Sequence, residues 1–312
     1  MMTGLDGADR LDPTLREVAT TRTDFSLAAI HLTREPFNER RRLTAERTDT
    51  HGVRIVGDSV PAGSGDVGVR IYRGGPAPAP AVVFCHAGGF ALGNLDTDHV
   101  QCVELARRGR CTVVSVDYRL APEHPYPAAL EDAGAVLRWV AANAVELEVD
   151  PARLAVAGSS AGAALAACLA QRAADGDAPP VVFQLLHQPV LDDRATPSKA
   201  QFRASPAFDG EGAELMWRHY LGPASASESA VPARRGEFAG LPPALITCAE
   251  IDPFRDEAVD YALRLLRAGV SAELHVFARA CHGFDSLLPD WAGSQRLFAL
   301  QGHALASALH ND

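Results

Sequence analysis

The sequence Gly-Ser-Ser-Ala-Gly at residues 158–162 has the residue types and the spacing of a turn that presents a catalytic serine. It follows a short apolar run, 154–157, and precedes an Ala- and Leu-rich run, 163–170, which predicts the order strand, sharp turn, helix. In such a turn the serine has a strained backbone, and only small residues two positions away on either side avoid a clash. We therefore predict that Ser160 is a nucleophile at the positively polarised N-terminus of a helix.

This pattern alone is a weak signal, because an ordinary glycine-rich turn between a strand and a helix has the same composition. Ser159 is a second candidate, since alanines stand two positions before and after it. Gly158 and Gly162 are smaller still, and they favour Ser160. The interpretation therefore depends on an oxyanion-stabilising segment, an acid and a histidine, each at the end of a strand.

The sequence His-Ala-Gly-Gly-Phe at residues 86–90 places two glycines directly after an apolar run. Acyl transfer needs hydrogen-bond donors where the carbonyl oxygen gains negative charge, and the N–H groups of Gly88, Gly89 and Ala161 are predicted to supply them. The alternative is a glycine-rich loop without a chemical role. His86 lies upstream of the nucleophile, against the usual chain order of serine, acid and histidine, so we expect it to orient the loop by hydrogen bonds.

Two side chains near the end of the sequence complete a possible catalytic set. His282 follows the last apolar run and is predicted to act first as general base and then as general acid. Asp252 follows the run before it and is predicted to orient His282. Asp before Pro253 and a helical pattern is also typical of a helix N-cap, and one carboxylate can hold both roles. Asp256 and Glu250 are the competing acids.

Alternating runs along the chain predict an α/β architecture. Eight apolar, β-branched runs predict strands at residues 53–59, 67–72, 81–85, 112–117, 154–157, 181–187, 244–249 and 273–277. Helical patterns fall at residues 98–108, 128–142, 161–173, 256–268 and 295–309. This alternation predicts a parallel sheet with helices on both faces. The first two runs lack an intervening helix, so we expect them to pair antiparallel at one edge.

Two polar segments with scattered apolar residues do not fit the alternation, at residues 1 to about 50 and about 193 to 240. Insertions beside the carboxyl ends of strands commonly form lids over active sites, and we favour a lid over a plain surface excursion. Four aromatic side chains are predicted to line an apolar acyl or alcohol pocket, namely Phe90, Phe202, Phe208 and Trp217.

Composition limits the classes of partner. A chain of 312 residues can bury a full core, and a formal net charge of −10 argues against nucleic acid or an anionic membrane as the main partner. Lys199 is the single lysine, which leaves little scope for Schiff-base or P-loop chemistry. Six cysteines without a C-x-x-C pair indicate free thiols in a reducing compartment. No Cys/His spacing suggests a metal, and no leader or transmembrane run is evident, so we expect a metal-free cytoplasmic protein.

These motifs together resemble the hormone-sensitive-lipase group (family IV) of α/β-hydrolase esterases, over about residues 80 to 285. The family's H-G-G-G and G-D-S-A-G motifs correspond to residues 86–89 and 158–162, with Ala87 and Ser159 as the two departures. The stretches at 118–123 (YRLAPE), 252–257 (DPFRDE) and 282–284 (HGF) complete the match. Residues 261–275 also look similar to bacterial heroin-esterase-type members.

The resemblance implies an α/β-hydrolase fold with a mostly parallel eight-stranded sheet and a helical cap in a single globular unit. By this resemblance residues 1–50 and 193–222 form the cap, and residues 51–192 and 223–312 form the catalytic core. Bacterial members of the family are similar in being soluble, metal-free, cofactor-free and often dimeric. Because Ala87 does not stand at a donor position of the family pattern, the oxyanion hole is expected to survive.

The function predicted from these residues is that of a serine carboxylesterase for a small, uncharged, short-acyl ester, with Ser160, His282 and Asp252 as the catalytic triad. The same machinery could act on an amide, an N-acetyl group or a lactone. A ligand receptor on a hydrolase scaffold is a third class, disfavoured because both serine and histidine are present.

Overall fold

The structure is a computed structural model that describes residues 5–63 and 65–310. The other residues, 1–4, 64, 311 and 312, belong to segments predicted as cap and core and lie outside the described residues.

A single eight-stranded sheet forms the centre of the molecule. Its strands are β1 (Arg54–Ala62), β2 (Gly65–Arg73), β3 (Ala79–Cys85), β4 (Thr112–Val116), β5 (Val149–Ser159), β6 (Phe183–His187), β7 (Ala244–Ile251) and β8 (Ala272–Cys281). Their order is β1-β2-β4-β3-β5-β6-β7-β8. β1 pairs antiparallel with β2, β2 pairs antiparallel with β4, and the remaining neighbours are parallel. The predicted mostly parallel sheet and its antiparallel edge pair are therefore confirmed.

Helices connect most of the parallel strands. They are α1 (Pro13–Val18), α2 (Leu27–Arg47), α3 (His99–Gly109), α4 (Ala128–Ala142), α5 (Ala161–Ala174), α6 (Pro197–Gln201), α7 (Gly210–Leu221), α8 (Arg255–Arg267), α9 (Phe284–Leu287) and α10 (Ala292–His310). Short 3₁₀ helices lie at Ala8–Arg10 and Pro232–Arg234.

The central strands are buried on both faces because helices cover each side of the sheet. Along β3, Val83 and Cys85 pack into the core shared with α4, α5 and α8, while Val82 and Phe84 pack into the core shared with α3 and α10. Successive side chains of a strand point to opposite faces, so this division follows from the period of two. The near-continuous apolar runs that predicted the parallel strands are explained by this two-sided burial.

The two segments outside the alternation are joined to each other. The N–H of Thr23 donates to Ala207 O at 3.1 Å, and the N–H of Ala207 donates to Thr21 O at 2.9 Å. His219 on α7 donates from Nε2 to Phe25 O at 2.8 Å. Hydrogen bonds therefore join the segment just before α2 to the segment that contains α7, although the two are far apart in the sequence.

Arg34 fastens α2 to the loops that follow β3 and β4. Its guanidinium bonds both carboxylate oxygens of Glu123 at 2.7 Å and the carbonyl oxygens of Ala91 and Ala121 at 2.8 and 2.9 Å. A planar guanidinium presents parallel donors to a carboxylate, which gives this contact a fixed geometry. The Glu of the YRLAPE stretch thus has a structural partner in the N-terminal helix.

A buried ion pair fastens α6 to α8. Lys199 Nζ lies 2.7 Å from Glu257 Oε2 and also donates to the carbonyl oxygens of Asp192 and Arg194. The other carboxylate oxygen of Glu257 accepts the N–H of Leu191 at 2.7 Å. Burial of this carboxyl raises the pKa of Glu257 to about 7.

Candidate active site

The turn between β5 and α5 places Ser160 in a conformation that side-chain-bearing residues rarely adopt, with φ 54° and ψ −117°. A Cβ on Gly158 would approach Gly162 O to 2.3 Å, and a Cβ on Gly162 would approach Cys85 O to 2.0 Å. This explains in atomic terms why the sequence requires glycine at both positions. The N–H of Ser160 donates to His187 O at 2.8 Å, so β6 supports the strained residue.

Three side chains from three strand ends converge at this turn. Ser160 Oγ lies 2.9 Å from His282 Nε2, and His282 Nδ1 lies 2.9 Å from Asp252 Oδ2. Asp252 is fully buried, while Ser160 and His282 are 5% and 7% exposed. A carboxylate that accepts from Nδ1–H leaves Nε2 free to take a proton from the serine hydroxyl. The arrangement can therefore generate an alkoxide-like nucleophile.

Asp252 holds two local bonds at once. Its Oδ1 accepts the N–H of Phe254 at 2.8 Å while its Oδ2 faces His282. Helix α8 begins at Arg255, and Phe254 is its N-cap residue. The side chain of Asp252, for which a capping role was predicted, therefore closes a turn just before the helix.

The two competing acids are engaged elsewhere. Asp256 accepts the N–H of Ser198 at 2.8 Å, and Glu250 pairs with Arg10 and accepts the N–H of Arg279 at 2.8 Å. Neither carboxylate has a contact with His282 among those formed by the described residues. The geometry thus singles out Asp252.

The loop after β3 provides free backbone donors beside the serine. Gly88 and Gly89 have φ of 131° and 60°, and a Cβ would lie 2.0 Å from Leu92 O at Gly88 and 2.4 Å from the Phe25 ring at Gly89. Within the described part of the chain, the N–H groups of Gly88, Gly89 and Ala161 donate to no protein acceptor. Three donors close to a nucleophile can stabilise an oxyanion.

His86 supports this loop from inside the core. Its ring stacks on Tyr118 with centroids 4.2 Å apart, and its Nδ1–H donates to Ala87 O at 2.7 Å. Burial lowers the pKa of His86 to about 4, so the imidazole is neutral near pH 7. The hydrogen-bonding role expected for His86 is what the structure shows.

Asp98 supports the same loop from the start of α3. Its Oδ2 accepts the N–H of Ala87 at 2.6 Å, and burial raises the pKa of this carboxyl to about 6. Ala87 is the first departure from the H-G-G-G pattern, and its N–H donates to Asp98. This is consistent with its not being an oxyanion donor.

A cavity of about 390 Å³ adjoins Ser160 and His282. Of the four predicted pocket residues, Phe208 lines it. Phe90 instead lies stacked on Tyr220 in the core with centroids 3.9 Å apart, and Trp217 packs beside it at 5.8 Å. Phe202 packs with Leu11, Ile251 and Cys281 in a separate apolar cluster. The prediction that Phe90, Phe202 and Trp217 line the pocket is corrected, since none of them lies in the wall of this cavity.

About half of the residues that line the cavity come from the N-terminal segment, and sequence reasoning named none of these as pocket residues. The side chains supplied by the chain before β1 include Phe25, Phe37, Arg22, Arg40 and Arg41. Helix α2 has a polar sequence in which Ile30 is the one buried apolar residue described. Only the prediction of a lid over residues 1–50 pointed to this region.

Within residues 5–63 and 65–310, no three His, Cys, Asp or Glu side chains form a group that could hold a metal ion. The helices in those ranges include none with both the length and the apolar character needed to cross a membrane.

Comparison with known proteins identifies the family. A family model described as alpha/beta hydrolase fold matches residues 82–286. The esterase LipI of Mycobacterium tuberculosis is 42% identical over 240 residues, which are 74% of this chain and 75% of that protein. The crystal structure of the esterase LipW from Mycobacterium marinum is 67% identical, covers 98% of both chains and superposes with a TM-score of 0.96. A bacterial heroin esterase structure is 36% identical over 96% of this chain and 98% of its own, with a TM-score of 0.91.

The chain therefore belongs to the α/β-hydrolase fold family. Within that family, the predicted resemblance to the hormone-sensitive-lipase group and to heroin-esterase-type members is confirmed by these relatives.

Proposed function

We propose that the protein is a serine carboxylesterase that hydrolyses small, short-acyl aryl or alkyl esters through an acyl-enzyme intermediate. The observation that carries the proposal is the continuous hydrogen-bonded chain from Ser160 Oγ through His282 to the buried Asp252. Relatives named esterase and carboxylesterase, and one named ethyl acetate hydrolase, support this class of reaction.

In the first half of the reaction, Ser160 Oγ attacks the ester carbonyl carbon while His282 Nε2 takes its proton. Asp252 stabilises the imidazolium that forms and holds its tautomer. The N–H groups of Gly88, Gly89 and Ala161 stabilise the negative charge on the carbonyl oxygen by hydrogen bonds. One such donor is worth roughly 10²–10³ in rate in enzymes of this kind.

His282 then gives its proton to the departing alcohol, which completes the first half and leaves an acyl-Ser160 ester. In the second half, His282 takes a proton from a water molecule that attacks the acyl carbon, and the same three N–H groups stabilise the second tetrahedral intermediate. The bond from the acyl carbon to Ser160 Oγ then breaks, His282 returns its proton to Ser160 Oγ, and the carboxylic acid leaves. Residues 1–50 and 193–222 serve as the cap that covers this chemistry. The cavity of about 390 Å³ and the position of Phe208 beside His282, with ring centroids 5.5 Å apart, support a small substrate.

The direct test replaces the nucleophile. Ser160→Ala is expected to abolish hydrolysis of p-nitrophenyl acetate and labelling by a fluorophosphonate probe while the circular dichroism spectrum stays unchanged. Ser159→Ala is the matched control, and it is expected to keep the labelling at Ser160. Retained turnover in Ser160→Ala, or a folded wild-type protein that does not label, would refute the proposal. An anilide of the same acyl group measures the amide activity that the same triad could support.

We also propose a cytoplasmic location and a homodimer. All six cysteines are buried free thiols, which supports a reducing compartment.

The homodimer is supported by apolar side chains that are exposed on one side of the sheet. These side chains are Leu263 and Leu266 on α8 and Val276 on the edge strand β8. Light scattering coupled to size exclusion will decide the oligomeric state, and a monomer at all concentrations would exclude the dimer.

A further inference from the structure

The wall that the N-terminal cap segment contributes to the active-site cavity is cationic. Arg22, Arg40 and Arg41 line the cavity, whereas Asp24 is the one acidic residue among its lining residues. The chain as a whole has 39 acidic and 29 basic residues, with a formal net charge of −10. The charge of this wall is therefore opposite to that of the rest of the molecule.

One of the three arginines is already neutralised. Arg22 Nε lies 3.1 Å from Asp209 Oδ2, and its Nη2 lies 3.5 Å from Glu211. Within the described part of the chain, neither Arg40 nor Arg41 forms an ion pair with a carboxylate. The positive charge that the cavity presents comes from these two adjacent residues.

Arg40 and Arg41 share one aromatic surface. Their guanidinium carbons lie 5.4 and 5.0 Å from the centroid of the Phe37 ring. Arg41 donates from Nη1 to Ser286 O at 3.3 Å, but its buried Nε has no acceptor. A buried guanidinium N–H without an acceptor costs free energy, so the hydrogen-bonding capacity of Arg41 is not fully used within the described chain.

The two carboxylates that act electrostatically on Arg41 accept hydrogen bonds from other groups. Asp98 accepts the N–H of Ala87, and Asp285 accepts from His187 Nε2 at 3.0 Å. Burial and the neighbouring Arg40 lower the pKa of Arg41, and Asp98 and Asp285 act in the opposite direction. An arginine remains charged at neutral pH in such surroundings because its ordinary pKa lies far above neutral pH.

We infer that Arg40 and Arg41 recognise an anionic group on the substrate, so that the preferred esters carry a carboxylate away from the scissile bond. The planar guanidinium matches a carboxylate with two parallel N–H donors. This inference rests on the proposed function and names its substrate class. It differs from the uncharged ester that the sequence predicts, because the sequence alone could not place Arg40 and Arg41 in the wall of the cavity that Ser160 lines.

The experiment compares matched anionic and neutral esters. On the acyl side, the pair is the mono-4-nitrophenyl ester of adipic acid and 4-nitrophenyl hexanoate, which have the same chain length. On the alcohol side, the pair is 4-acetoxybenzoate and 4-acetoxybenzamide. Each kcat/KM is divided by the hydroxide-catalysed rate of the same ester, which removes differences in intrinsic reactivity. We expect the anionic ester to be favoured in at least one pair, mainly through KM, and the preference to shrink with added salt.

Variants assign the preference to the two residues. Arg40→Gln is expected to lower the ratio of anionic to neutral kcat/KM roughly five-fold, the upper range for an exposed charge pair. Arg41→Gln is expected to lower it roughly ten-fold, since its contact is more buried. Arg42→Gln is the matched control, because Arg42 lies on the same helix and pairs with Glu39 and Glu46 at the surface. It removes the same charge and is expected to keep the ratio.

The outcomes separate this inference from the proposed function. Neutral esters favoured in both pairs, or a ratio that falls equally in Arg40→Gln and Arg42→Gln, would overturn the inference and leave the esterase activity in place. If the folded enzyme hydrolyses none of the four esters, both proposals fail together. Should Arg41→Gln not fold, Arg41→Lys and Arg40→Glu replace it. Arg40→Glu must then invert the preference, and an unchanged ratio counts against the inference.

Discussion

The carboxylate of Asp98 accepts a hydrogen bond from the backbone N–H of Ala87 at 2.6 Å. Asp98 is the N-cap residue of α3, yet its side chain forms no bond to that helix. A residue type that ordinarily caps a helix is instead directed to the loop that carries Gly88 and Gly89. The start of α3 thereby fixes the position of the proposed oxyanion donors.

Removal of this contact is expected to slow catalysis without removing any group that touches the substrate. We expect Asp98→Ala to lower kcat by about ten-fold, less than the loss of an oxyanion donor itself, because the loop gains freedom. Asp98→Asn keeps an acceptor oxygen and should restore most of the rate. Steady-state kinetics on p-nitrophenyl acetate will measure both. Full activity in Asp98→Ala would show that the loop is held by other contacts.

Asp252→Asn is expected to lower kcat by about 10³–10⁴ with the fold intact, because an amide at this position favours the wrong tautomer of His282. Asp256→Asn and Glu250→Gln are the controls, and each should retain activity within about ten-fold, since both side chains bond elsewhere. Kinetics with a folding check by circular dichroism will separate the three. A larger loss in Asp256→Asn than in Asp252→Asn would reassign the acid.

The raised pKa of Glu257 predicts that the free energy of unfolding depends on pH. Its pKa is raised to about 7 in the folded state from an ordinary value of 4.5, so the folded protein binds more protons than the unfolded chain between these pH values. The contribution to the free energy of unfolding is therefore largest below about pH 4.5 and is lost as the pH rises through 7.

Urea unfolding from pH 4.5 to 8 will test this dependence. Relative to Glu257→Gln, the wild type should lose up to about 3 kcal/mol over this range. The difference between the two proteins is the readout, because other carboxylates with lowered pKa values cancel in it. A difference that grows as the pH rises would contradict the assignment.

Gly162→Ala is expected to destabilise the protein by about 3 kcal/mol or more, since its Cβ would meet the backbone oxygen of Cys85 at 2.0 Å and backbone atoms cannot move aside cheaply. Gly57→Ala is the matched control, because nothing lies within 4 Å of a Cβ at that position. Thermal unfolding of both variants will measure the effect. Equal melting temperatures would mean that the elbow adapts to a larger residue.

Phe208→Ala and Phe202→Ala are expected to behave differently although both residues lie in the segment between β6 and β7. Phe208 lines the cavity, so its truncation should move the optimum of a p-nitrophenyl acyl series from acetate towards longer chains. Phe202 is buried against Ile251 and should mainly lower stability, by about 3 kcal/mol. The acyl series and urea unfolding measure these effects. A shifted chain-length optimum in Phe202→Ala would place that residue at the substrate.

The strands, the sheet and the convergence of Ser160, Asp252 and His282 could be anticipated because each rests on local patterns. An apolar β-branched run predicts a buried strand, and polar residues directly after such runs meet at the carboxyl edge of a parallel sheet. The positions of the strand ends were less well predicted. Strand β5 begins at Val149, well before the predicted run at 154–157, since its first residues are partly exposed.

The cavity wall could not be predicted because it depends on contacts between distant segments. Phe90 and Trp217 are as aromatic and as buried as Phe208, and apolar patterning reports burial rather than which buried side chain faces an opening. Arg40 and Arg41 lie on a helix whose polar sequence reads as a solvated surface. The tertiary position of α2 over the loop after β3 brings them into the wall of the cavity that Ser160 also lines.

The buried ion pair of Lys199 and Glu257 makes Lys199 a reporter of whether α6 and α8 stay in contact. With the chain's one ε-amino group enclosed between α6 and α8, an amine-directed reagent has no lysine to modify on the closed molecule. Acylation of Lys199, read by mass spectrometry of its peptide, would therefore report each separation of α6 from α8. The rate at which Lys199 becomes accessible could then be compared directly with turnover, without attaching any label beforehand.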